Sequence, residues 1–179
     1  MDDSCVMTLK KNFEGLMTIC QALDNNGLWE KNGINMALSA IFRADIARFM
    51  LHLSAADGTL SDGEVQLFQI VTGFSENAEA LLQLIRDCRM DSNDFATGVP
   101  LSIQVITEAE EKLLARGVKL HPAQSVQALF IGFFQGLGEV LLHSDAGVAP
   151  AEQAKLTLCM NTLLRYMQAH NNERYYGGE

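Results

Sequence analysis

The chain has 179 residues, 48% hydrophobic and 20% charged, with a formal net charge of -9 at pH 7 and a pI near 4.8. That much apolar material argues against global disorder and suits a single domain with a sizeable core. The excess of acid argues against a nucleic-acid backbone or an anionic membrane surface as partner, because both are bound through clustered Lys and Arg.

The first residues, MDDSCVMTLKK, lack a basic start, an apolar run and a small-residue cleavage site, so no signal peptide is expected. Val6, Leu9, Phe13, Leu16, Cys20 and Leu23 recur every three or four residues and predict one helix with one apolar stripe. Asn and Gly break the pattern over 24–33. Trp29 in that loop is expected to fold back onto the core. A long helix follows through Leu38, Ile41, Phe42, Ile46, Phe49 and Leu53, ending at Asp57-Gly58. A shorter one carries Val65, Leu67, Phe68, Val71 and Phe74. After Gly73, Ser75 is the expected cap of a helix turning Leu81, Leu82, Ile85 and Cys88 inward.

Residues 91–100 read as a loop. The next helix includes Ile103, Ile106 and Leu113 and ends near Gly117. His121-Pro122 is expected to open a helix with Val126, Leu129, Phe130, Phe133, Leu137 and Leu141 inside. A last helix runs from Pro150 through Leu156, Cys159, Leu163 and Met167, and 170–179 is expected to fray. No stretch alternates as a strand does. The fold class is all-α, with about seven helices in one domain.

The longest apolar run, Ala128 to His143, is too short for a membrane span and is interrupted by Gln135 and Glu139. A core helix is expected, with no membrane insertion. Cys5, Cys20, Cys88 and Cys159 form no CxxC pair and are all expected in the core, as in a protein of the reducing cytoplasm.

The chain contains an internal repeat. Asp145 lies 88 positions after Asp57, and Glu152 lies 88 after Glu64. The apolar positions follow at the same offset: Leu53 and Leu141, Phe68 and Leu156, Val71 and Cys159, Phe42 and Phe130. Two helical hairpins about a pseudo-twofold axis are expected, with Gly132 and its counterpart Ala44 letting the long helices approach closely.

The first turn explains itself without a ligand. Asp57-Gly58 stops one helix, and Ser61 with Glu64 matches a capping box for the next. The second copy has Ala149 and Pro150 where a cap belongs, yet keeps Asp145 and Glu152. A cation held by carboxylates and backbone carbonyls would account for both copies, and hard oxygen ligands suit Ca²⁺ or Mg²⁺. The spacing is not that of an EF-hand, since its twelfth position would be Phe68.

A helix, then Ala56-Asp57-Gly58-Thr59-Leu60-Ser61-Asp62-Gly63-Glu64, then a second helix, all duplicated, resembles the tellurite-resistance TerB family. The resemblance covers about Ile34 to Met167. In the second copy the glycine, Gly147, has moved one place along. The resemblance implies a bacterial stress-response domain whose acidic residues bind a divalent cation. Asp57, Glu64, Asp145 and Glu152 are then the candidate ligands, with Asp62 as an addition. It also divides the chain into a helix and loop over 1–33, a TerB-like domain over 34–169 and a tail over 170–179. The first helix is then a decoration or a dimer contact.

No nucleophile motif, phosphate loop, metalloprotease motif or dinucleotide fingerprint is present. His52 and His143 read as helix-end residues, because they do not fall on matching repeat positions. The first functional reading is a non-catalytic binding module whose acidic turns take a divalent cation or a basic partner. The second is a scaffold that docks a protein or self-associates. The third, a hydrolase using paired carboxylates, has no pocket or nucleophile beside the acids in the sequence pattern.

Overall fold

The computed structural model describes residues 3–26, 36–54, 62–73, 75, 77–87, 98–118, 125–143 and 150–175. Among them are seven helices and no strand. They are α1 (Asp3–Asn26), α2 (Leu38–Ser54), α3 (Asp62–Thr72), α4 (Ala78–Asp87), α5 (Leu101–Ala115), α6 (Val126–Leu142) and α7 (Pro150–Tyr175).

The repeat reappears in the helix boundaries. α2 and α6 begin and end 88 positions apart, and so do the starts of α3 and α7. Phe42 and its repeat mate Phe130 meet with ring centroids 4.6 Å apart. Two equivalent residues in direct contact mark the place where a twofold axis runs. The contacts obey it: α2 and α6 touch each other, and each also touches α1 and α5.

α2 is the hub, in contact with all six other helices. Its sequence permits this, because Leu38, Phe42, Ile46, Phe49 and Leu53 are spread by small Ala44 and Ala47, and all are buried. α1 places its predicted stripe, Val6 to Leu23, in the same core. The helix expected to be a decoration or dimer contact therefore has its apolar face committed inside the molecule.

Several ends differ from expectation. α4 is capped by Asn77, whose Oδ1 accepts from Ala80 N at 2.8 Å, because Asn77 and not Ser75 stands next to the first helical residue. α6 starts at Val126, not at His121-Pro122. Ser125 is extended there and its hydroxyl accepts from Ala128 N. α7 runs on past Met167 to Tyr175, and 176–179 of the expected frayed tail lie outside the described residues. The stripe fades after Met167, but no Gly or Pro intervenes before Gly177, so nothing in the backbone stops the helix. Leu129, expected inside, is 51% exposed.

Gly132 is not the point of close approach. A Cβ there would meet nothing within 4 Å, whereas one at Gly138 would overlap Leu156. Gly138 is where α6 and α7 pack, and Gly132 lies on a different side of the same helix. Trp29, Phe74, Cys88 and Ser61 fall outside the described residues.

α5 ends in a Schellman motif. Val118 N donates to Leu113 O, and Gly117 N donates to Leu114 O. Gly117 adopts φ +84, a left-handed conformation that a side chain opposes by about 1–2 kcal/mol. Gly117→Ala is expected to lower stability by about 1 kcal/mol in a urea unfolding curve with an unchanged slope.

Candidate functional site

Of the predicted acidic residues, Asp57 and Asp145 lie outside the described residues. Asp62 and Glu64 occupy the first turn of α3, and Glu152 the first turn of α7. Glu64 and Glu152 are each third in their helix. Glu64 is buried, Glu152 is half-buried and Asp62 is exposed. Each gains from the partial positive charge at a helix start. Among the described residues, no three His, Cys, Asp or Glu side chains are grouped so as to hold a metal. No described helix is long and apolar enough to cross a membrane.

The polar groups that the fold brings together are others. Asp24 on α1 accepts from Leu38 N at 2.9 Å and so caps α2. Glu110 on α5 accepts from Val126 N and, at 3.2 Å, from Gln127 N, while the Ser125 hydroxyl donates to its other oxygen. It caps α6. In each half, then, a carboxylate of the first helix satisfies the orphan amides that begin the second.

The third carboxylate has no counterpart in the repeat. Asp45, fully buried on α2, accepts from Ser102 N at 2.8 Å at the start of α5. Arg48, one turn along and 1% exposed, donates to Asp45 at 3.2 Å. Burial pushes the Asp45 carboxyl above its ordinary value, against the pull of Ser102 and Arg48. These groups tie α2 to α5. They lie inside the core and offer no route to a substrate.

Cysteine placement splits. Cys20 and Cys159 are buried as expected, but Cys5 is exposed. The α1 stripe faces inward through Val6 and Leu9, which turns Cys5 toward the rim. Burial, with Asp24 adding to it, pushes the Cys20 thiol up to about 12, and burial pushes Cys159 up to about 11. Both remain protonated and inert at neutral pH.

Cys5 lines a half-open cleft between α1 and α6 of about 530 Å³. Leu9, Gly132, Gly136 and Val140 form an apolar floor, and Ser4, Thr8 and Asn12 form a polar wall. Glu139 and His143 also line it. His143 Nδ1 stands 2.6 Å from the Glu139 carbonyl oxygen. A carbonyl only accepts, so Nδ1 is the donor in this contact. As expected, this histidine closes a helix: it is the C-cap of α6. His170 Nδ1 lies 3.1 Å from Glu111 on the α5–α7 surface, with both side chains 35% exposed. At that exposure the pair adds little stability.

No protein-family model, curated protein or solved structure matches the chain. The resemblance to the TerB family rests on the residues of the two motifs.

Proposed function

We propose that the chain acts by binding and not by catalysis, as a TerB-like stress-response module whose two acidic turns take a divalent cation. The reading rests on one observation. The segments between α2 and α3 and between α6 and α7 have the same length, and each leads to a glutamate third in the following helix. The second segment lacks a cap residue yet retains its acids, so capping alone does not explain them. A bacterial, cytoplasmic setting belongs to the same reading.

A thermal melt of chelated protein tests it. Millimolar Ca²⁺, Mg²⁺ or Mn²⁺ is expected to raise the midpoint. A hundredfold excess over Kd stabilises by about 2.7 kcal/mol, or about 5–10 °C for a chain of this size. Asp57→Asn and Glu64→Gln are expected to remove the shift at the first turn, and Asp145→Asn and Glu152→Gln at the second. A melt unmoved by all three cations overturns the cation reading and leaves the scaffold. Exposed Leu158 and Leu164 on α7 and Leu129 on α6 favour that second reading, because apolar surface is what protein partners cover.

A further inference from the structure

We propose that the cleft between α1 and α6 binds a small organic cation with a flat apolar body, of the amidine or guanidine class. Its volume of about 530 Å³ falls in the range of small-molecule sites. An apolar floor with a few polar groups on its walls is the usual make-up of such a site.

Three observations identify the occupant. The first is Gly132. A glycine inside a helix is less favourable than alanine, and packing does not require this one, since its Cβ would meet nothing within 4 Å. Gly136 beside it does have a packing reason, because its Cβ would lie 3.3 Å from Leu9 Cδ2. A missing side chain over open space lets a flat group lie against the helix backbone.

The second is charge. Among the described residues the cleft is lined by no Lys or Arg, by one carboxylate, Glu139, and by one imidazole, His143. An anion entering here would lose water and could find a countercharge only in a protonated His143, whereas a cation faces the Glu139 carboxylate. Gln135 donates to Glu139 Oε1 at 3.0 Å and so helps to fix that carboxylate.

The third is the repeat. The position 88 before Gly136 is Arg48, one of the largest fully buried side chains of the molecule. Where α2 carries a guanidinium, α6 carries only hydrogen, and Gly136 is part of the cleft lining. The fold already holds a planar cation at the related place.

Cys5 supplies a readout confined to the cleft. Its alkylation by iodoacetamide in the full chain, followed by peptide mass, is expected to slow saturably with benzamidine, with a midpoint at or below about 1 mM. Neutral benzamide and anionic benzoate are expected to protect at least about tenfold less well. Glu139→Gln is expected to weaken benzamidine about tenfold and leave benzamide unchanged. Gly132→Leu, on an open helix face where leucine suits the helix, is expected to remain folded by circular dichroism and lose all benzamidine protection. An alkylation rate unmoved by about 10 mM benzamidine overturns the proposal. So does equal protection by benzamide or benzoate, or protection that survives Glu139→Gln or Gly132→Leu. Asp57→Asn and Glu64→Gln are expected to leave the protection intact, which separates this site from the acidic turns.

Discussion

Asp45→Ala is expected to lower the unfolding free energy by about 3–5 kcal/mol, because it strands a buried charge. Arg48 is 1% exposed and its guanidinium lies 3.2 Å from the Asp45 carboxylate. Removing Asp45 also takes the acceptor from Ser102 N and so uncaps the start of α5. Two losses add in one substitution, desolvated charge and a free amide. Replacing both partners by apolar residues, Asp45→Leu with Arg48→Met, is expected to restore most of the stability, since no charge is then left in the core. Urea unfolding of both singles and the double gives the coupling. A loss below about 0.5 kcal/mol for Asp45→Ala would mean that the pair is solvated.

The same carboxyl sets a pH dependence. Burial raises its folded-state affinity for a proton above that of the unfolded chain. The stability that it contributes is therefore fully present below its unfolded value, about 3.9. It is lost as pH rises through the higher folded value. Asp45→Asn keeps an acceptor for Ser102 and cannot titrate. The stability difference between wild type and this variant is expected to shrink as pH rises across that window. A difference independent of pH would show that the carboxyl is not desolvated.

The helix plan was legible because one rule governs it. Apolar residues at three- and four-residue spacing recur at an offset of 88, and both ends of α2 and α6 and the starts of α3 and α7 keep that offset. Caps were less legible. Ser75 and Asn77 are both good cap residues, and only the helix start decides between them. The buried charges had a faint signal: Asp45 and Arg48 interrupt the apolar run Ile41 to Phe49 on the most enclosed helix. Glu110 had none. It sits in the run Glu108, Glu110, Glu111, which reads as a solvated face until α6 is seen to start against it. Glycine roles needed neighbours too. Spacing alone does not say which of Gly132, Gly136 and Gly138 meets Leu156 and which faces a cleft.

Phe42→Ala is the other large effect, an expected loss of about 3–5 kcal/mol. Its ring lies 6.0 Å from Phe13 on α1, and 4.6, 5.5 and 6.0 Å from Phe130, Phe133 and Phe134 on α6. The void would open on the pseudo-twofold axis, where three helices meet and little can collapse into it. Aromatic pairs add about 0.5–1.5 kcal/mol beyond area, so deletion also weakens the hold on α1. Amide exchange from Leu9 to Cys20 on α1, whose Phe13 ring stacks on Phe42, is expected to accelerate. Phe130→Ala should destabilise by a similar amount. The double variant should fall short of the sum by at least about 0.5 kcal/mol, because both act on one contact. Strict additivity, or unchanged protection in α1, would place the joint between the halves elsewhere than at these two rings.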